Sequence, residues 1–268
     1  MVIPGLVLLA SALALQDPGT EAWDGFAEPF RTVEVAAAEP GLLRDSPLSE
    51  GAKVIKGQVI AQLDNELLDS SLAMAKARRE ASGRIKAAEA EWMLRKDRLK
   101  RFEELHQKGN ASTDELSRAR ADEQIAAGNH LSLKEEQEIA GLECERIQQQ
   151  IARRQVRSPI DGFIIQLHYE PGEYVSLAAP SVAKVIQINP LRVVLYVPAK
   201  SVGLLSPGVK LPVKFPDLPS VTGEVEYIAP VADAQSGTVK VHLTVTNPQN
   251  TLRSGSRCSV TLPNSLKN

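Results

Sequence analysis

Proline is missing from the whole stretch between Pro47 and Pro159, although the chain holds 17 of them. A helix interior excludes proline, because the ring removes a backbone donor and clashes with the preceding turn, so an absence this long marks helix. Aromatic residues make up only 4% of the 268 residues. Base stacking and sugar recognition both lean on aromatic faces, which excludes either as the main task. The 31 basic and 33 acidic residues leave a net charge of −2, so no field of one sign favours nucleic acid or anionic lipid. Cysteine is scarce as well: Cys144 falls in a helical segment and Cys258 in a predicted strand of another region, so no disulfide staples the fold. His106, His130, His168 and His242 are scattered without ligand-like spacing, and Met1, Met74 and Met93 form no thioether cluster. There is no phosphate loop and no nucleophile motif, and the expectation is a protein that is not an enzyme and holds no cofactor or metal.

Long hydrophobic runs are also wanting. Met1 to Leu15 is apolar and ends in Ala12-Leu13-Ala14, which reads as a secretory signal peptide over 1–15 with a small-residue cleavage site. It is shorter than the roughly 20 residues a membrane crossing needs, and no other stretch reaches that length. The mature chain is expected to be exported, and soluble or peripheral to a membrane.

What the middle of the chain does have is helix formers. From Glu66 to Arg154 the sequence is rich in Ala, Leu, Glu, Lys, Arg and Gln, and two helices are predicted, over about 65–107 and 113–155, each ~60 Å long. Lys108-Gly109-Asn110 breaks the pattern between them. Ser112 or Thr113 is the expected N-cap, with Glu115 as a first-turn acid. Leu116, Ala119, Ala126, Leu133, Ala140, Cys144, Ile147 and Ile151 form one three-four seam in the second helix. Ile85, Trp92 and Leu99 recur every seven in the first, beside Ala88 and Phe102. The two stripes predict an antiparallel coiled-coil hairpin. Its seam is interrupted by Glu123, His130 and Gln137, so much of each helix should stay solvated. The charge run from Arg95 to Glu104 reads as a hydrated face, or as a face that packs laterally against copies of the chain.

Two short segments flank these helices and echo one another: Gly51-Ala52-Lys53-Val54-Ile55-Lys56-Gly57-Gln58-Val59-Ile60-Ala61-Gln62-Leu63-Asp64, and Val156-Arg157-Ser158-Pro159-Ile160-Asp161-Gly162-Phe163-Ile164-Ile165. Each reads as a short β-hairpin. Gly51 and Gly57 supply tight turns, and Asp161-Gly162 is a turn pair that re-enters a sheet. Together they suggest a small β-sandwich opened at one turn to admit the helical hairpin, a device for reach rather than catalysis. After Arg154 the period changes to two, with strands predicted at 162–167, 182–188, 191–197, 209–215, 221–229, 238–246 and 257–262. Strands 191–262 should form a small antiparallel barrel separate from the sandwich.

At this point the chain resembles the membrane-fusion, or periplasmic adaptor, family of hemolysin-D-like and efflux-pump adaptors, from about Val33 to Leu262. The first lipoyl half-motif is Ser49-Glu50-Gly51-Ala52-Lys53-Val54-Ile55-Lys56-Gly57-Gln58. The second is Val156 to Gly162 with Pro171-Gly172-Glu173-Tyr174-Val175. The barrel block is Pro207-Gly208, Gly223-Glu224-Val225, Ile228-Ala229-Pro230, Ser236-Gly237-Thr238-Val239-Lys240-Val241, Asn247-Pro248 and Leu252-Arg253-Ser254-Gly255. The resemblance implies an α+β fold, mostly β, in which a lipoyl-like (barrel-sandwich hybrid) domain is split by a long α-helical coiled-coil hairpin and followed by a small antiparallel β-barrel. The implied parts are a linker over 16–32, the lipoyl-like halves 33–65 and 156–188, the hairpin 66–155 and the barrel 189–264. Gly51, Gly57, Asp161, Gly162 and Gly172 are its turn positions. At the hairpin tip, Arg101, Leu105 and Ser112 keep the spacing by which such adaptors dock onto TolC-like channels, with Ala111 where a β-branched residue is usual.

The resemblance further implies a periplasmic subunit of a tripartite efflux or secretion system, linking an inner-membrane transporter of RND or ABC type to an outer-membrane channel. Copies would associate into a ring such as a hexamer. The membrane-proximal domain of many efflux adaptors is expected to be missing, which leaves the barrel as the transporter contact. Two other readings compete. A biotinyl or lipoyl carrier would display a lysine at the tip between the half-motifs, where this chain has its helices. A structural coiled-coil envelope protein without a transporter partner would explain the hairpin but give no reason for the opened sandwich and the barrel.

Overall fold

A computed structural model describes residues 22–216 and 218–261. The signal peptide expected over 1–15 lies outside the described residues. In chain order the elements are β1 (Ala22–Ala36), β2 (Gly41–Asp45), β3 (Lys53–Val54), β4 (Val59–Leu63), α1 (Glu66–Glu80), α2 (Gly83–Gln107), α3 (Thr113–Arg153), β5 (Gln155–Arg157), β6 (Gly162–Leu167), β7 (Tyr174–Val175), β8 (Ser181–Pro198), α4 (Ala199–Val202), β9 (Lys210–Lys214), β10 (Val221–Ala232), β11 (Thr238–Val245) and β12 (Arg257–Thr261).

The two distant segments do fold back together. Lys53 pairs with Phe163 and Val54 with Gly162 in one sheet, while Val59 pairs with Arg157 and Ala61 with Val156 in the other. Neither segment is a hairpin closed on itself, as the sequence suggests. After the turn at Gly57, which has φ +88°, the strands diverge into opposite layers, and each finds its partner in the other half of the chain. The backbone of Lys56 donates to Asp161 Oδ1 at 2.7 Å, so the two turns are tied to each other. A Cβ on Gly162 would sit 2.1 Å from the Ile186 carbonyl oxygen of the neighbouring strand. Here glycine is required by close approach. One layer holds β3, β6 and the facing parts of β8 and β1, and the other is ordered β5-β4-β2-β7. Between them Leu43, Val54, Ile60, Leu63, Ile164 and Val185 are fully buried, each worth roughly 1.5–3 kcal/mol over exposure.

The barrel runs β1-β12-β9-β10-β11-β8 and closes through pairing of β8 with β1. Strand β1 is the main departure from the sequence reading. The linker expected over 16–32 is, from Ala22 on, a strand that pairs with β12 over Ala22–Phe26 and with β8 from Gly25 onward. Strands 191–262 alone would leave β8 and β12 as open edges, and the extra strand removes both. Barrel and sandwich are also not separate, because β1 and β8 run continuously through both. The two strands predicted at 182–188 and 191–197 are one, with the residues around Pro190 bulged out between the pairs Arg31–Gln187 and Pro29–Leu191, where a missing N–H costs no ladder bond. Asn247, 1% exposed, locks this junction. Its amide donates to the carbonyls of Ile188 and Leu252, both at 3.0 Å, its Oδ1 accepts from Leu252 N, and its backbone N–H donates to Asn189 Oδ1.

The helical insert leaves the sandwich between β4 and β5. Its outgoing limb is two helices rather than the one predicted over 65–107, with a break at Ala81–Ser82. Ser82-Gly83 is poor helix former beside costly helix former, and the Gln137 amide donates to the Arg79 carbonyl at 2.8 Å, satisfying an oxygen the break frees. The returning limb is the continuous 41-residue α3, ending two residues before the predicted 155 because Gln155 already pairs with Gln62. Both α1 and α2 lie against α3, and the pairs Arg84–Glu136, Arg95–Asp122 and Glu103–Arg120 run in opposite directions along the two limbs, so the limbs are antiparallel. The described residues include no helix long and apolar enough to cross a membrane.

Candidate functional site

The far end of the arm is where the sequence places its candidate docking residues. The turn is built by local rules. Asn110 N–H donates to the Leu105 carbonyl and Gly109 N–H to the His106 carbonyl, with Gly109 at φ +74°; this is a Schellman ending in which glycine takes the left-handed position. His106 Nδ1 lies 2.8 Å from the Ala111 carbonyl, which can only accept, so the proton sits on Nδ1. Ser112 then caps α3 in a full capping box: its Oγ accepts from Glu115 N–H, and the Glu115 carboxylate accepts from the Ser112 backbone at 2.8 Å and from its hydroxyl at 2.9 Å. These bonds hold the Glu115 carboxyl below its ordinary range.

Arg101 and Leu105 both lie on the last turns of α2, four residues apart and exposed, and Ser112 is exposed beside them across the turn. Arg101 donates from Nε to its own helix at Asp97 O. Leu105 is 41% exposed. The three are thus brought to one end of the arm. The hydroxyl of Ser112 is already engaged within its own helix start.

The seam below the tip departs from the sequence reading in an instructive way. Glu123, His130 and Gln137 do not interrupt it. The Trp92 indole N–H donates to Glu123 Oε1 at 2.8 Å, and His130, 5% exposed, stacks on the Trp92 ring at 5.3 Å and 21°. With Gln137 on the Arg79 carbonyl, each of the three crosses to the opposite limb. Their spacing of seven, in phase with Ala126 and Leu133, was the signal that could have assigned them. At the base Ala75, Cys144 and Ile147 form a small apolar cluster with Leu68, Leu72 and Ile151 packed on it.

Cys144 and Cys258 are buried and free, and burial pushes the Cys258 thiol up to about 11, away from the reactive thiolate. Among the described residues, no group of three or more His, Cys, Asp or Glu side chains could hold a metal. The sequence also gave no hint of a polar cluster on the sandwich: Glu34 takes hydrogen bonds from Lys184 Nζ at 2.9 Å, His168 Nε2 at 3.2 Å and Ser181 Oγ at 3.0 Å, which hold its carboxyl at about 2. It ties β1 to β8 and to the chain after β6. Of the turn positions, Gly51, Gly57 and Gly172 all have positive φ, and Asp161 and Gly162 join the two halves as described above.

Residues 31–185 match the CzcB-like barrel-sandwich hybrid domain, and residues 191–265 match the CusB-like beta-barrel domain. The chain belongs to the CzcB-like barrel-sandwich hybrid family. The resemblance to membrane-fusion proteins read from the half-motifs is thereby borne out. The chain is 27% identical over 235 residues to the nodulation protein NolF of Rhizobium meliloti, covering 86% of this chain and 60% of NolF. It is 27% identical over 228 residues to the cobalt-zinc-cadmium resistance protein CzcB of Cupriavidus metallidurans, covering 84% of this chain and 41% of CzcB. It therefore spans about half the length of these relatives. Among solved structures, MacA from Actinobacillus actinomycetemcomitans superposes with a TM-score of 0.72 at 19% identity, covering 91% of this chain and 78% of MacA, a likeness of fold.

Proposed function

We propose that this chain is the periplasmic adaptor subunit of a tripartite efflux or secretion system, linking an inner-membrane transporter of RND or ABC type to a TolC-like outer-membrane channel. The observation that carries this reading is the opened sandwich: two half-motifs about a hundred residues apart pair in both layers, and the arm leaves through the opening. A module built this way holds a long lever on a rigid base. On this reading the arm is a coiled-coil hairpin, the parts divide at 33–65 with 156–188, 66–155 and 189–264, and copies of the sandwich and barrel stack into a ring, with a hexamer as the candidate number. Arg101 presents a planar donor fork at the tip, Leu105 an apolar contact and Ser112 the cap that fixes their spacing. The barrel meets the transporter, and the work is mechanical: sealing a conduit through many weak contacts.

The test is co-purification from the envelope after mild cross-linking, with export measured in parallel. A transporter and a channel should come down with the chain, and replacing Arg101 by Asp together with Leu105 by Ala should abolish the channel adduct and cut export at least tenfold. Unchanged export and channel cross-linking would remove the docking role of the tip. Recovery of neither partner would favour the structural envelope protein instead.

A further inference from the structure

The returning limb carries one unbroken stripe, and the outgoing limb does not. On α3, Ala119, Ala126, Leu133, Ala140 and Ile147 recur every seven residues, and none is exposed. On the outgoing limb the buried alanines are Ala75 of α1 and Ala88 of α2, each 6% exposed, and they stand thirteen residues apart, one short of two sevens. The stripe of α2 through Ile85, Trp92 and Leu99, extended back by seven, meets exposed Arg78, whereas α1 packs Leu68 and Leu72 beside Ala75. In one continuous helix of 3.6 residues per turn, thirteen residues leave the second alanine about 140° from the face of the first. Such a helix could bury only one of the two on α3. The break at Ala81–Ser82 resets the phase, and the poor helix formers there lower its cost rather than cause it.

The arm is weak at this level on both limbs and between them. Gly141 of α3 lies beside Arg79, and a Cβ there would meet Arg79 Nε at 3.7 Å, an ordinary contact. No close approach demands glycine at that position, and a glycine inside a helix loosens it. A recess of about 310 Å³ opens at the break, with Ala81, Ile85, Leu133 and Ala140 in its lining. Among the described residues, the side-chain bonds that cross the limbs here are Gln137 on the Arg79 carbonyl and the exposed pair Arg84–Glu136 at 3.4 Å, and an exposed pair of this kind holds little. The root of the arm is tied more firmly. Arg154 donates from Nη1 to the Asp64 carbonyl and lies with Nε 3.6 Å from Glu39, and its own carbonyl accepts from Leu63 N–H at 2.9 Å.

We infer that the arm is a lever of two segments with a joint at Ala81–Ser82. The inner segment, α1 with the end of α3, moves with the sandwich; the outer segment, α2 with the start of α3, tilts on it as α3 bends at Gly141. The joint is written into the sequence as one residue missing from the outgoing stripe, while the returning limb keeps the two segments connected. With 15 residues in α1 and 25 in α2, the segments are about 22 and 37 Å long, so a tilt of about 10° carries the tip about 6 Å. The inference concerns how the arm moves, and it stands whether or not the tip meets a channel.

The test measures distances between spin labels in the full-length chain. One label sits on the sandwich through Leu42→Cys, and the second on the inner segment through Lys76→Cys or on the outer through Leu94→Cys; the native cysteines, each 2% exposed, stay unlabelled. The 42–94 distribution should be at least twice as wide as the 42–76 distribution. An alanine inserted between Ala81 and Ser82, together with Gly83→Ala, puts both stripes in phase and should narrow the 42–94 distribution at least twofold, with Trp92 emission unchanged because α2 keeps its seat on His130. Gly141→Ala, which meets no clash, should narrow it as well. Gly83→Ala alone should leave it wide, since phase and not propensity makes the break. A 42–76 distribution as wide as 42–94 would place the motion at the root and overturn the joint. Narrowing by Gly83→Ala alone, or an insertion that changes Trp92 emission or leaves the width as it was, would overturn the phase argument.

Discussion

In the barrel, Leu195, Leu211, Leu243 and Val260 are fully buried and each strand is paired on both sides; in the arm, a thin seam of Ala88, Ala119, Ala126, Leu133 and Ile147 is interleaved with Glu123, His130 and Gln137, which bond or stack across the limbs. The contrast shows two ways of making a rigid body. A closed sheet draws its stability from apolar burial, which is non-directional and large. A two-helix rod has too little interior for that, so it fixes its register with directional bonds between limbs and leaves its outer faces free. The first suits a base and the second a lever that must meet other surfaces.

Substitutions that remove one means and spare the other sharpen this comparison. The largest effect is expected at the base: Asn247→Ala leaves the Ile188 carbonyl and both polar groups of Leu252 without their side-chain partner inside the fold, costing on the order of 3 kcal/mol in chemical denaturation while protection of arm amides is little changed. Next is Trp92→Ala, which removes both the bond to Glu123 and the stack on His130. It should cost about 2 kcal/mol, seen as faster amide exchange between 85 and 135 with the barrel unaffected. Ser112→Ala removes the capping box for about 1 kcal/mol, fraying the first turn of α3 and letting the Glu115 carboxyl titrate closer to its ordinary value by NMR.

The smallest effect is one of pH. The Glu34 carboxyl lies at about 2 against an ordinary 4.5, held down first by Lys184 and then by His168 and Ser181. A depressed carboxyl contributes stability that is complete above 4.5 and is lost as pH falls through 2. Glu34→Gln should therefore flatten the fall of Tm between those two values, and an unchanged acid limb would remove this cluster from the account.

Much of this molecule was legible in its residues, and the parts that were not share a physical cause. Helix existence followed from the proline-free stretch, the turn from Gly109 and Ser112, and the paired halves from Gly51 to Asp64 and Val156 to Ile165, because each rests on local chemistry. The first part of β1, up to residue 32, reads as linker because its partners on β12 and β8 lie more than 150 residues away in sequence, and only barrel closure demands it. The bulge at Pro190 reads as a strand end for the same reason. Hydrophobic periodicity counts Glu123, His130 and Gln137 as defects, while the structure shows each one bonded or stacked across the limbs. At the tip, the spacing of Arg101, Leu105 and Ser112 could be read, but not that the Ser112 hydroxyl is committed to its own cap.

The central claim of the proposed reading is that the contact with the outer-membrane channel is made by the tip of the arm and not by the sandwich. A photo-reactive residue placed at position 105 in cells tests it most directly, with positions 42 and 177 on the exposed surface of the sandwich as comparison. The account predicts an adduct with an outer-membrane channel from position 105 alone. Channel adducts of equal yield from all three positions, or none from 105 in a chain that still supports export, would contradict it.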